Sequence, residues 1–458
     1  MHSAIELYLN GLKGKRVAVM GIGVSNRPLI ELLLQAGIDV TACDKRQRPA
    51  FDGLIEQLEE KGAVCCLGED YLDHLDGMDV IFRTPGMRPD LPQLLSAGEA
   101  GAEITSEMEV FLSVCPCPMI GVTGSDGKTT TTSIIAGLLD AAGYRTYVGG
   151  NIGRPLLSQA GEMKADDMVV LELSSFQLMT MKQSPDVAVV TNLSPNHLDV
   201  HKDMEEYVEA KKNIFLHQSP KGKLILNADN EITASFVPEA RGSVVTFSRQ
   251  TELGKGVFLK GGVITCNGRA VLPVEDILIP GVHNVENYMA AIAAVDGLVP
   301  DEVIRSFAKG FGGVQHRIEL VRELGGVRYY NDSIASSPSR TIAGLRSFKQ
   351  KVILIAGGYD KNIPYDDLGP EILRGVRSLV LVGATAPKIK AAVVNAPGYR
   401  TGEPFIVEKS TLQEAVLAAR DLAQPGDVVI LSPASASFDQ FRNFEERGNA
   451  YKEFVAQL

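Results

Sequence analysis

Short runs in which every residue is apolar recur along the chain, separated by longer stretches of mixed character. Val17-Ala18-Val19-Met20, Val80-Ile81-Phe82 and Val352-Ile353-Leu354-Ile355-Ala356 are examples. Such runs read as strands buried on both faces. A strand over 15–20 ends in Gly21-Ile22-Gly23, and a helix over 28–36 is stopped by Gly37. Strands over 38–44 and 80–83 follow, the latter ending at Thr84-Pro85-Gly86. Strands alternating with helices imply a parallel sheet with helices on its faces. The stretch Cys115-Pro116-Cys117-Pro118 marks a boundary, after which the pattern restarts with a strand over 119–123 and a helix over 128–142. Strands over 167–171, 187–191 and 222–227 continue it. From 246 to 279 the pattern becomes short strands with turns at Lys260-Gly261-Gly262 and Asn267-Gly268, a small antiparallel patch within the same domain. Helices over 284–297 and 300–310 close this unit, and strands over 327–330, 352–356, 379–382 and 428–431 define a third.

The expectation is an α/β protein of three domains, 1–115, 116–313 and 314–458. The first and third are Rossmann-like and the second is a P-loop α/β domain. A length of 458 residues agrees, at about 150 residues per domain. The net charge of −11 argues against nucleic acid or an anionic membrane as main partner. No run approaches the roughly 18 to 20 apolar residues of a membrane span, and the N-terminus lacks an apolar signal-type region, so a cytoplasmic protein is expected. The six cysteines make neither a disulfide framework nor a paired zinc pattern.

Chemistry enters at the junction after 119–123. Thr123-Gly124-Ser125-Asp126-Gly127-Lys128-Thr129-Thr130 follows a strand and opens a helix, the setting a phosphate loop requires. Glycines let the backbone N–H groups converge on phosphate oxygens, and the helix N-terminus adds partial positive charge. Lys128 can reach the β and γ phosphates, and the Thr129 hydroxyl can ligate Mg²⁺. The strict pattern would put its first glycine at Val122; here Gly121 and Gly124 flank that position. Near the N-terminus, Gly21-Ile22-Gly23-Val24-Ser25-Asn26, with Asp44 ending the next strand, has the look of a dinucleotide fingerprint whose third glycine is Asn26. The same loop can hold a sugar-linked diphosphate on a helix N-terminus.

Further segments carry a family resemblance: Leu171-Glu172-Leu173-Ser174-Ser175-Phe176-Gln177-Leu178, Asn192-Leu193-Ser194-Pro195-Asn196-His197-Leu198-Asp199, Tyr207-Val208-Glu209-Ala210-Lys211, Gly281-Val282-His283-Asn284-Val285-Glu286-Asn287, His316-Arg317 and Asn331-Asp332-Ser333. In order and spacing, nearly end to end, the chain resembles the Mur ligases, the ATP-dependent amino-acid ligases of peptidoglycan precursor synthesis. The first of these segments, with 431–441 near the C-terminus, looks most like the D-glutamate-adding branch. The resemblance implies UDP-N-acetylmuramoyl-L-alanine and D-glutamate as substrates, ATP, two Mg²⁺ ions and a monomer. It implies Glu172 and Thr129 on a first metal and His197 on a second. Lys211 would be carbamylated by CO₂ into an oxygen-donor anion, which needs a locally neutral amine. Lys128, His197 and Lys211 would be catalytic. Asn284, Asn287, Arg317 and Asp332 would contact adenosine. Gly21 to Asn26, Asp44, Lys45 and Arg46 would bind the UDP end and Asn151 the sugar side. Ser336, Lys361, Ser437 and the Phe444 backbone would hold the incoming amino acid.

Taken alone, several of these residues have plainer readings. Asn284 and Asn287 suit a helix cap, Asp332 a turn with Asn331 and Ser333, and Lys211 a solvated helix position. One departure stands out. The family often reads Asn-Asp-Ser-Lys where this chain has Ile334 in fourth place; either Arg340 or Lys361 is expected to compensate, Arg340 first, or the C-terminal domain docks differently. Competing assignments are another ligase of the superfamily, such as a folylpolyglutamate synthase, a non-catalytic nucleotide-binding module, and an NAD-dependent enzyme. Intact Lys128, Glu172, His197 and Lys211 argue against the module, and Asn26 against NAD.

Overall fold

A computed structural model describes residues 3–195, 200–361 and 363–458. The chain forms two compact units, residues 1–273 with 286–307, and residues 274–285 with 308–458.

The first unit holds two sheets. Strands β1 (Val17–Met20), β2 (Val40–Asp44), β3 (Val64–Leu67), β4 (Val80–Phe82) and β5 (Glu103–Thr105) form a parallel sheet in the order β3-β2-β1-β4-β5. The central sheet has nine strands: β6 (Met119–Thr123), β7 (Thr146–Gly150), β8 (Met168–Glu172), β9 (Val187–Val190), β10 (Lys223–Asn227), β11 (Ser243–Ser248), β12 (Val257–Lys260), β13 (Val263–Cys266) and β14 (Arg269–Pro273). Its order is β14-β13-β12-β11-β10-β9-β6-β8-β7. The antiparallel patch is therefore no separate sheet. β12 adds parallel to β11, and β13 and β14 run antiparallel beyond it, extending the central sheet. One apolar cluster runs from Val17 and Leu33 through Phe111 and Leu157 to Leu171 and Phe215, so both sheets share a core.

The second unit carries β15 (Glu319–Leu324), β16 (Val327–Asn331), β17 (Val352–Ala356), β18 (Val376–Val382), β19 (Phe405–Lys409) and β20 (Val428–Leu431), ordered β15-β16-β20-β17-β18-β19. Only β15 is antiparallel. Every residue of β17 and β20 is buried, with apolar clusters on both faces of the sheet.

The helix Met204–Leu216 shows how sequence places function. Asp203 caps it by accepting the Glu206 N–H at 2.8 Å, and Glu205 and Glu206 complement its N-terminal dipole. Tyr207, Ala210, Lys211, Ile214 and Phe215 form its buried face. Their three-and-four spacing is that of an apolar stripe, so Lys211 lies in the row that must face the core. The solvated-lysine reading fails here. The helix Val282–Val295 begins two residues earlier than its sequence pattern suggested, which puts Asn284 and Asn287 inside it rather than at its cap.

In the second unit the helices Leu368–Gly375 and Ala386–Val394 touch at Gly369, where an added Cβ would stand 2.1 Å from the Ala392 carbonyl oxygen. Helix propensity alone would make Gly369→Ala stabilising by about 1 kcal/mol. Backbone cannot yield as a side chain does, so the variant is expected to be destabilised by about 1–3 kcal/mol in urea unfolding.

Candidate active site

The loop between β6 and the helix Lys128–Ala141 is curled by glycines that cannot be replaced. Gly124 has φ +148°, and a Cβ there would meet the Thr191 hydroxyl at 2.0 Å. Gly127 has φ +79°, and its Cβ would meet Asn287 Oδ1 at 2.4 Å. The loop is tied to β9 and beyond: the Thr191 hydroxyl donates to the Asp126 carbonyl at 2.6 Å, the Asp126 N–H to Asn192 Oδ1 at 3.0 Å, and the Ser125 hydroxyl sits 2.9 Å from the Tyr207 hydroxyl. Lys128 Nζ curls over the loop to the carbonyls of Gly124 and Ser125, both at 2.9 Å. Thr129 is half-buried and Thr130 buried in the first turn of the helix. Asn287, from a distant helix, also accepts a hydrogen bond from the Thr131 hydroxyl at 3.2 Å.

Beneath the loop lies Lys211, 2% exposed. Its amine donates to Thr123 Oγ1 at 3.1 Å and to the Gly124 carbonyl at 3.0 Å, and lies 4.9 Å from the centre of the Tyr207 ring. Burial, then the charge of Lys128, holds its pKa well below the usual lysine range, against the opposing pull of Glu172. Adjacent Lys212 behaves differently, pairing with Glu209 and Glu239 at 2.8 Å each.

Glu172 ends β8 and is 1% exposed. One carboxylate oxygen accepts from Asn151 Nδ2 at 2.8 Å, and the Asn151 N–H donates to the Glu172 carbonyl at 2.8 Å. The other oxygen, Oε2, is buried without a hydrogen-bond partner. An orphaned buried carboxylate oxygen is costly, and hard oxygen donors suit Mg²⁺. Glu172 and the Thr129 hydroxyl therefore fit that ion. Among the described residues no three His, Cys, Asp or Glu side chains cluster as a closed metal cage, so further ligands would come from nucleotide oxygens and water. His197 lies outside the described residues.

On the other side of Asn151 a cleft of about 250 Å³ is lined by Val24, Ser25, Asn26, Pro85, Glu107, Asn151 and Gln177, among others. The loop after β1 is buckled by Asp44, whose carboxylate accepts the Ile22 N–H at 2.7 Å and the Arg46 N–H at 2.9 Å. Burial alone would raise the Asp44 pKa, but the Arg46 hydrogen bonds and the two N–H groups outweigh it and hold it below the carboxylate range. Gly21 has φ +91°, Gly23 is exposed, and Lys45 is exposed at the turn. Asn26 is buried and donates to the Met20 carbonyl at 2.9 Å, so it closes the loop rather than opening it to a dinucleotide.

In the second unit Asp332 is buried, with Ser432 Oγ donating to it at 2.7 Å and the Ile318 N–H at 3.3 Å. Burial pushes it up to about 7, against these bonds and the charges of Arg317 and Arg340. Arg340 donates to the Ile334 carbonyl at 3.3 Å. Ser336 is half-buried, Lys361 is exposed after Gly357-Gly358, and Ser437 is buried, its carbonyl accepting the Phe441 N–H at 2.8 Å. The Phe444 carbonyl accepts from Ser333 Oγ at 2.8 Å. Asn284 donates to the Pro280 carbonyl at 2.6 Å.

Two residues escaped the sequence reading. Arg447, 4% exposed, ties Ser333 (2.8 Å to its carbonyl) to Ala436 (2.9 Å to its carbonyl) and so joins two loops far apart in sequence. Burial lowers its pKa to about 10. His201 is buried with Nε2 2.9 Å from Ser175 Oγ. Neither lies in a local pattern that sequence alone would mark.

Residues 15–106 match a Mur ligase MurD-like N-terminal domain, 122–295 a Mur ligase middle domain, and 316–435 a Mur ligase glutamate ligase domain. UDP-N-acetylmuramoylalanine–D-glutamate ligases of Acetivibrio thermocellus, Ruminiclostridium cellulolyticum and Clostridium novyi are 57%, 54% and 53% identical, over the full length of both chains in each case. The chain belongs to the Mur ligase family. The solved Mur ligase MurC of Thermotoga maritima, a UDP-N-acetylmuramate–alanine ligase, shares the fold at TM-score 0.59 and 18% identity, over 97% of this chain and 99% of that one. A diaminopimelate-adding relative of the family matches at TM-score 0.55 and 17% identity, over 92% of each chain. Among the described residues of this Mur ligase, no helix is long and apolar enough to cross a membrane.

The raised pKa of Asp332 gives a test of its burial. Its folded value, about 7, exceeds its unfolded one near 3.8, so the stability it confers is complete below the unfolded value and is lost as pH rises through the folded one. Asp332→Asn removes that loss. The variant's thermal midpoint is expected to gain on the parent between pH 5 and about pH 8; parallel curves would show that Asp332 is not held protonated.

Proposed function

We propose that this Mur ligase joins D-glutamate to UDP-N-acetylmuramoyl-L-alanine at the expense of ATP, within peptidoglycan precursor synthesis. The observation that carries the reading is the position of Glu172. It stands beside the phosphate loop and Lys211 and is bonded through Asn151 to the wall of the cleft, so nucleotide and acceptor ends converge on one carboxylate. The choice of D-glutamate rests on the names of the full-length relatives, at 51–57% identity.

The ATP γ-phosphoryl passes to the L-alanine carboxylate, giving an acyl phosphate and ADP. The D-glutamate amine then attacks the carbonyl carbon, phosphate departs and the nitrogen loses a proton. Both first reactants are anions, so the protein's work is positioning and charge neutralisation. Loop N–H groups and Lys128 bind the phosphates, and Asn287 holds the loop's far side. Glu172 and Thr129 would hold a Mg²⁺ ion, which would supply further charge neutralisation when bound. His197 would serve a second such ion. Lys211, its protonation disfavoured by burial, takes up CO₂ with loss of a proton, and the carbamate puts an anionic oxygen donor where the amine stood. Domains 1–115, 116–313 and 314–458 divide the work into acceptor, nucleotide and amino-acid binding. Asn284, Arg317 and Asp332 serve adenosine, and Ser336, Lys361, Ser437 and Phe444 serve D-glutamate, with Arg340 standing in for the missing lysine.

Phosphate release from Mg-ATP is expected to require both UDP-N-acetylmuramoyl-L-alanine and D-glutamate. Equal release with L-glutamate, L-lysine or diaminopimelate would sink the assignment. Lys211→Ala is expected to lose activity by about 10³-fold or more, with partial return in millimolar short-chain carboxylic acid. Native activity without the acid would eliminate the carbamate.

A further inference from the structure

Residues 84–90, following β4, form one wall of the acceptor cleft through Pro85. On one side the turn backs onto the diphosphate loop, since a Cβ on Gly21 would stand 3.3 Å from Thr84. On the other it is bound to the central domain by two arginines. Arg83, 2% exposed, folds its Nη1 over the carbonyls of Thr84 (3.3 Å), Pro85 (3.1 Å) and Met87. Its Nη2 reaches Thr180 Oγ1 at 3.0 Å and the Phe176 carbonyl at 3.5 Å.

Arg88 uses all five of its N–H donors. Nε and Nη2 hold Asp90, each at 2.8 Å; Nη2 and Nη1 hold Glu206 at 2.9 and 3.1 Å; and Nη1 holds the Val200 carbonyl at 2.7 Å. Glu206 Oε2 lies 3.4 Å from His201 Nδ1, a close approach rather than a hydrogen bond, and His201 Nε2 meets Ser175 Oγ at 2.9 Å. Ser175 opens the short helix Ser175–Leu178, whose Gln177 lines the opposite side of the cleft and whose Phe176 carbonyl is held by Arg83. The contacts therefore close on themselves: turn, Arg88, Glu206, His201, Ser175–Leu178, Arg83, turn.

We propose that Arg88 is a positioning residue for the UDP-linked acceptor, working through this closed circuit to fix the separation of the two cleft walls. The inference rests on the reading of the cleft as the acceptor site. Arg88 touches no reacting group and lines no part of the cleft. Its planar fork, spanning two carboxylates and a carbonyl at once, is a task a lysine cannot perform. Glu206 also opens the helix that carries Tyr207 and Lys211, but the cleft walls are what the circuit encloses.

Arg88→Met is expected to raise KM for UDP-N-acetylmuramoyl-L-alanine by about tenfold, with KM for ATP and D-glutamate within about twofold of the parent. Arg88→Lys is expected to restore little. Glu206→Gln should reproduce the acceptor effect, and the double variant should add nothing to it, because both act through one contact. It also keeps the test open if Arg88→Met folds poorly. A lowered thermal midpoint with all three KM values unchanged, an effect on ATP in place of acceptor, or additive single variants would each overturn the proposal. Calorimetric titration of the acceptor separates the two readings. No binding to the parent removes the cleft assignment and this inference with it; equal affinity for parent and Arg88→Met removes the inference alone.

Discussion

The first unit is organised around an amine that has been taken out of water. Lys211 is forced inward because its position on its helix belongs to the apolar stripe, and a charged ammonium there would cost several kcal/mol. The chain deals with that cost locally. The amine is given Thr123 and the Gly124 carbonyl as acceptors and the Tyr207 ring as a neighbour, and Lys128, reaching the same carbonyl, disfavours its protonation. The loop that covers it can be so tight only because Gly124 and Gly127 have nothing where Thr191 and Asn287 press in. The loop that carries Lys128 is thus also the lid of a desolvated lysine, and the two lysines share the Gly124 carbonyl.

The second unit uses comparable means for different groups. Arg447 is as deeply buried as Lys211, but it is surrounded by carbonyls and a hydroxyl and stays a donor. The Asp332 carboxylate accepts hydrogen bonds from Ser432 and Ile318, too few to outweigh its burial, and its charge is disfavoured. Burial sets the direction in all three cases, and the supply of partners sets how far it goes.

The strands readable in the sequence were those buried on both faces. Val352–Ala356 and Val428–Leu431 fall where their apolar runs predict. Those missed, Val64–Leu67, Glu103–Thr105, Thr146–Gly150, Glu319–Leu324 and Phe405–Lys409, all lie at sheet edges, where partial exposure removes the unbroken apolar signature. The site divides in a similar way. The glycine-rich strand–loop–helix at 119–141 was legible because one contiguous segment holds it whole. Arg447 and His201 were not, because each joins a segment distant in sequence, through Ser333 for Arg447 and Ser175 for His201, that no local pattern announces.

Asn151 joins the cleft wall to Glu172 by two hydrogen bonds, one from its backbone and one from its side chain. For inhibitor chemistry the consequence is concrete. On the proposed reading, a compound lodged against Asn151 from the cleft would press on the Glu172 carboxylate through these two bonds without entering the nucleotide pocket. With Glu172 holding Mg²⁺ as proposed, its potency would depend on the magnesium concentration of the assay, and a screen run with saturating metal would rank such compounds differently from one run near physiological levels.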